Sequence, residues 1–208
     1  MKKHLLAAVM CAMTAISPLF GQQHVQSLSF SGPSTIDIRS TTNTFTLSVN
    51  LTFSGYSAVA LSYFLEVQNA LAPFLTVTDV TCSTLPCPPP GPTPIPFNNT
   101  AGDPGYSGEP YDLGGAVNNP FTEHVPPGRY HVTDITLMLA PGTPLGMYDL
   151  RSTTLVPRNS EVTSYPDFTD NNLPAAHFTI NIVPEPSALA LLGIGAIASG
   201  LIANRRRR

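Results

Sequence analysis

The chain has 208 residues, with ten Lys/Arg against thirteen Asp/Glu and a formal net charge of -3. That charge is segregated: Lys2, Lys3 and Arg205 to Arg208 lie at the ends, and between His24 and Val183 only Arg39, Arg129, Arg151 and Arg158 stand against twelve acids, a net of -8 with no lysine. Such a body repels phosphate backbones and excludes a nucleic-acid partner; it also lacks tryptophan, the side chain best suited to stacking on sugars or bases.

Residues 1–23 read as a secretory signal peptide. Lys2 and Lys3 precede an apolar run from Leu5 to Ile16, followed by Ser17, Pro18 and a small residue at Gly21, the order of n-region, h-region and cleavage zone. Leu19 occupies a position where a small residue is preferred, so the cut falls between Ser17 and Gln23. Cys11 lacks the small preceding residue that lipid attachment needs and is read as an ordinary apolar signal residue.

The exported part, residues 24–182, is long enough for one substantial core. In "NTFTLSVNLTF" Phe45, Leu47, Val49, Leu51 and Phe53 alternate with polar residues, the period of two of a half-buried strand. "AVALSYFLEV" repeats the pattern through Val59, Leu61, Tyr63, Leu65 and Val67; its lack of proline leaves a helix open, and it is read as a strand. The runs at 74–81, 131–139, 147–155 and 177–183 read as further strands. Val132 is out of phase with Ile135, Leu137 and Leu139, which points to a bulge or to a strand that begins late. Gly/Pro-rich clusters such as "SGPS", "APGTPLG" and "DNNLP" separate these runs. The expectation is an all-β fold, a single antiparallel β-sandwich with one long proline-rich loop.

That loop holds seven prolines between Pro86 and Pro96, a composition of polyproline II or disorder, and is read as a stiff surface excursion. Cys82 and Cys87 flank its start, and export makes a disulfide between them the favoured state.

Few residues carry chemistry. "GYSGEP" approaches a nucleophile elbow around Ser107, but Glu109 stands where the last glycine belongs. His124 and His131 flank "VPPGRY", where a hairpin would set them opposite one another as metal ligands, although solvated side chains are the commoner case. Asp167, Asp170, Asn171 and Asn172 are oxygen donors of the kind calcium takes, yet Asp and Asn more often bond their own turn. The expectation is therefore no catalytic residue, no cofactor and no metal, with calcium the single weak alternative.

Residues 183–208 form a tail. From Ser187 to Ala203 about seventeen residues carry no charge, and at about 1.5 Å per residue they reach about 25 Å, a marginal transmembrane span. Arg205, Arg206, Arg207 and Arg208 anchor the C-terminus on the cytoplasmic side and leave the acidic body outside. Pro184 and Pro186 stop the helix from extending upstream.

Val183-Pro184-Glu185-Pro186, a short apolar helix and an arginine cluster together resemble the PEP-CTERM sorting signal of Gram-negative bacteria. The resemblance implies that Pro184, Glu185 and Pro186 are recognised by an exosortase, a membrane-embedded cysteine protease. Transient inner-membrane insertion, removal of the helix and delivery to the cell surface or exopolysaccharide matrix would follow. "FTLSVNLTFSGYSAVALSYFLEV", "FLTVTDVT" and "APGTPLGMYDL" are similar to cohesin-like β-sandwiches, a likeness that supports fold and not function. The function expected is that of a surface or matrix-associated structural or adhesive protein. An exported carbohydrate- or protein-binding module and a permanently anchored membrane protein are the alternatives. Exopolysaccharide or surface proteins would be its partners.

Overall fold

A computed structural model describes residues 24–38, 43–87, 94–98 and 103–184. The signal segment 1–23, Glu185, Pro186, the apolar run and Arg205 to Arg208 lie outside the described residues.

Fourteen strands occur in order: β1 (Gln26–Ser31), β2 (Thr35–Ile38), β3 (Asn43–Phe53), β4 (Ser57–Ser62), β5 (Leu65–Gln68), β6 (Leu75–Cys82), β7 (Ile95–Pro96), β8 (Tyr106–Gly108), β9 (Gly115–Ala116), β10 (Gly128–Leu139), β11 (Gly146–Ser152), β12 (Glu161–Tyr165), β13 (Asp170–Asn172) and β14 (His177–Pro184). One sheet runs β1-β3-β10-β6-β7, a second β2-β14-β11-β5-β8 and a third β13-β12-β4-β9. A single hydrophobic core takes side chains from all three, so the fold is an all-β sandwich. Among the described residues every ladder is antiparallel except β2 with β14, which is parallel.

β3 shows why the fold forms. Phe45, Leu47, Val49, Leu51 and Phe53 are buried while Thr44 and Thr46 between them are exposed, because successive side chains of a strand point to opposite faces. β10 pairs with β3 along its length, but the register shifts between His131 and Thr133. Val132 is the extra residue, so the phase break is a bulge within a strand that begins early, at Gly128, rather than a late start.

The stretch read as one strand from Ala58 to Val67 is divided. β4 belongs to the third sheet and β5 to the second, and the chain changes sheet at Tyr63 and Phe64. Asp112 holds this crossing: its Oδ1 accepts from the Tyr63 N–H at 3.2 Å and its Oδ2 from Ser62 Oγ at 2.6 Å. The free backbone groups at the crossing are also paired, Tyr63 O with Leu113 N at 3.0 Å and Phe64 O with Thr153 N at 3.0 Å. At Gly114 a Cβ would lie 1.8 Å from Leu61 O, so only glycine lets these backbones approach.

The proline-rich segment is more than a surface excursion. Its described parts supply β7, β8 and β9, which cap one edge of each of the three sheets in turn. Ile95, Phe97 and Leu113 from the same segment are buried. Proline suits this place because an edge strand has one side on which no N–H is required. Pro96 sits there, opposite Thr76.

Candidate functional site

Cys82 and Cys87 are joined by a disulfide with Cα atoms 5.9 Å apart. The turn it closes lies on β10: Ser83 Oγ and Thr84 Oγ1 both donate to His131 O, at 2.5 and 2.7 Å, and Leu85 is buried. Pro86 O then accepts from Ala116 N on β9 at 3.0 Å. Replacing both cysteines by serine is expected to lower the unfolding free energy by about 2 kcal/mol, the loop-closure value for so short a ring. Urea melts of the two proteins check this, and coincident curves would contradict it.

A polar cluster lies on the second sheet. Arg151 alternates with buried Leu150 and Ser152 on β11. Its Nε donates to Glu66 Oε2 at 2.8 Å, its second terminal nitrogen donates to Asp103, and its guanidinium carbon lies 3.7 Å from the Tyr106 ring centroid. Tyr106 Oη donates to Asp149 Oδ2 at 3.1 Å, and His177 Nδ1 meets the same oxygen at 2.9 Å. The Gly105 N–H and Arg151 hold the Asp103 carboxyl below the usual carboxylate range. Each carboxylate here has a protein partner, so the cluster braces loop 103–108 against β5 and β11.

Glu109 lies behind that loop and is fully buried. Its Oε2 accepts from Tyr111 N at 2.5 Å, whereas its Oε1 is buried without a hydrogen-bond partner among the described residues. Arg158 NH1 and NH2 donate at 2.9 Å to the backbone oxygens of Glu109 and Pro110. Burial pushes the Glu109 carboxyl up to about 8, against the lowering effect of the Tyr111 N–H and the nearby Arg158 charge.

A third cluster is aromatic and exposed. The ring of His124 stacks on Tyr165 at 4.7 Å with 5° between planes. Phe168 meets the Tyr165 ring edge-on at 6.0 Å, and Phe121 lies 5.6 Å from Phe168. Phe121 is 76% exposed and Phe168 41%.

The remaining candidate side chains lie in separate surroundings. His124 and His131 are not set opposite one another: Val125, next to His124, bridges Ala58 on β4, whereas His131 sits on β10 opposite Asn50. His131 Nε2 contacts Asp134 Oδ1 at 2.9 Å. The oxygen donors near 167–172 bond within the β12–β13 hairpin and to Asn159 just before it. Asp167 accepts from Ser164 Oγ and Thr169 Oγ1, Asp170 from Thr163 Oγ1 and Asn172 Oδ1 from Asn159 Nδ2. Among the described residues no group of three His, Cys, Asp or Glu side chains could hold a metal. Ser107 Oγ donates to Asn69 Oδ1 at 2.8 Å, an amide and not a base. A cleft of about 280 Å³ beside β4 and β9 contains Asp112, whose two oxygens are already engaged at the sheet crossing.

The last strand leads into the tail. β14 runs through Val183 and Pro184, which pair in parallel with Asp37 and Ile38 of β2. On its other side β11 ends at Gly146, opposite Ile182, so the missing N–H of Pro184 breaks no ladder with β11. Pro184 is the first proline of the motif and Glu185 follows directly on the strand end. Residues 183–208 match the PEP-CTERM protein-sorting motif.

A PEP-CTERM signal marks an exported protein destined for the cell surface and sorted by an exosortase. The first two residues of the matched segment, Val183 and Pro184, are thus the last two of β14. Among solved structures, the seventh ScaB type I cohesin from Pseudobacteroides cellulosolvens aligns with 12% identity over 76% of this chain and 94% of its own, at a TM-score of 0.46. A non-cellulosomal cohesin from the archaeon Archaeoglobus fulgidus aligns with 13% identity over 79% and 96%, at 0.41. The CARDB domain of a Pyrococcus furiosus protein, solved with di-metal ions, aligns with 12% identity over 78% and 96%, at 0.35. No curated protein matches the sequence.

Proposed function

We propose that this chain is a structural or adhesive protein of the cell surface or exopolysaccharide matrix, delivered through its PEP-CTERM tail and without catalysis of its own. The observation that carries the reading is the match of residues 183–208 to the sorting motif, which begins at the last two residues of β14. Pro184, Glu185 and Pro186 are the residues acted upon by the exosortase. Ser187 to Ala203 holds the protein in the inner membrane until the cut, with Arg205 to Arg208 inside. The carboxylates of the body support a passive role, since Asp103, Asp112, Asp149 and Glu66 brace loops and strand crossings. Intact-mass analysis of the protein recovered from the host's surface tests the delivery: a mass lacking the apolar run and the arginines is expected, and a mass ending at Arg208 would contradict it.

A second reading, an exported binding module, is favoured by the exposed aromatic cluster of Phe121, His124, Tyr165 and Phe168.

A further inference from the structure

We propose that Phe121 and Phe168, backed by Tyr165 and His124, form a stacking site for a sugar unit of a neutral polysaccharide. This deepens the binding-module reading and rests on it.

Exposed apolar side chains are common singly, but here two phenyl rings come from separate loops and meet 5.6 Å apart. Both loops are fixed by their own hydrogen bonds. In the first, Asn119 O accepts from Glu123 N at 2.8 Å and from Thr122 N at 3.1 Å, and Asn119 Oδ1 accepts from Phe121 N at 3.2 Å. In the second, Asp167 accepts from Ser164 Oγ at 2.5 Å and from Thr169 Oγ1 at 3.0 Å, while Ser164 N donates to Thr169 O at 2.9 Å. The rings are thus held in place before any ligand arrives, which reduces the entropy lost on binding.

Phe168 adds a second observation. Its φ is 52°, and it is the one non-glycine residue with positive φ among the described residues. A bulky side chain is disfavoured there, where glycine or asparagine is free of strain. The position holds a half-exposed phenyl ring instead, a strained backbone that lifts an aromatic side chain to the surface.

Size and charge choose the ligand. Two phenylalanine side chains cover at most about 500 Å², short of the roughly 800 Å² that each partner contributes to a stable protein interface. That area suits the apolar C–H face of one or two sugar rings. Glu123 and Asp167, two residues after Phe121 and one before Phe168 in the chain, are exposed, and together with the net charge of -8 in the body they repel uronate or phosphate polymers. A neutral glycan is the class that remains.

The test is affinity electrophoresis of the exported protein purified from its host, in gels containing hydroxyethylcellulose, glucomannan, dextran or, as the polyanion, alginate. Retardation is expected with at least one neutral polymer and not with alginate. It should weaken at least about tenfold in Phe121→Ala and in Phe168→Gly, the scale of a lost stacking contact. Tyr111→Ala, which removes an exposed ring outside the cluster, should change nothing. Phe168→Gly should melt no lower than wild type, because glycine relieves the positive φ; this separates lost binding from lost folding. Several results would overturn the site: no neutral polymer retards the protein, both ring variants behave as wild type, or alginate retards it most strongly. A sedimentation change from dimer to monomer in Phe121→Ala would also overturn it, since the rings would then be covered by a second copy. None of these gels reads cellular location, so failure here leaves the sorting reading where it stood.

Discussion

Raising the pH from about 5 to about 8.5 is expected to destabilise the wild-type sandwich, and Glu109→Gln is expected to abolish most of that loss. Burial pushes the folded-state Glu109 carboxyl from its ordinary 4.5 up to about 8. Between these values the folded chain holds a proton that the unfolded chain releases, so stability from this group is complete below about 4.5. It falls as pH rises through the window and levels off above about 8. A pKa difference of this size corresponds to a loss on the order of 3–5 kcal/mol. Tyr63 and Asp112 stand near the carboxylate, and the negative charge of Asp112 adds to the burial effect, while Arg158 opposes it.

Glutamine keeps the acceptor that Tyr111 N uses and removes the ionisation. The variant should therefore match wild type near pH 5 and exceed it at pH 8.5, in urea melts followed by circular dichroism. Parallel curves for the two proteins across the whole range would show that Glu109 is not the buried acid described. The exposed carboxylates act in the opposite direction and at lower pH. Ser164 and Thr169 lower Asp167, and Ser48 with His131 lowers Asp134, so their contributions fade only as the pH falls into the acid range.

What the sequence revealed follows from where period-two alternation survives. β3 is long, half-buried and regular, so its face could be read directly, and the phase break at Val132 marked the bulge in β10. The strand crossing at Tyr63 and Phe64 was hidden because Val59, Leu61, Tyr63, Leu65 and Val67 stay buried on both sides of it. The groups that hold the crossing, Asp112, Leu113 and Thr153, are distant in the chain. β7, β8 and β9 have two or three residues each, too few for a period, and prolines mask them further. Glu109 looked like the residue that spoils a nucleophile elbow; its burial depends on Leu65, whose O accepts from Glu109 N at 3.0 Å across the β5 edge. The aromatic cluster was equally invisible, since Phe121 and Phe168 belong to loops far apart in the chain, and the absence of tryptophan argued against stacking. The tail was legible because its information is linear: motif, apolar run and basic cluster occur in sequence order and need no fold to be recognised.

The second large effect concerns that tail. Changing Pro184, Glu185 and Pro186 together to alanine leaves the apolar run and the four arginines intact, so membrane insertion and orientation should persist. The fold should persist as well. Pro184 is the terminal residue of β14, where alanine can keep the extended conformation opposite Ile38 and restores an N–H. Only recognition is removed. A plain anchor would not register the change, whereas a sorting signal loses its cleavage and the protein accumulates at full length.

Fractionation of the native host separates the two cases in one comparison of wild type with the triple variant. The account predicts shortened wild type at the cell surface or in the matrix and full-length variant confined to the inner membrane. A variant shortened and distributed like wild type would contradict it.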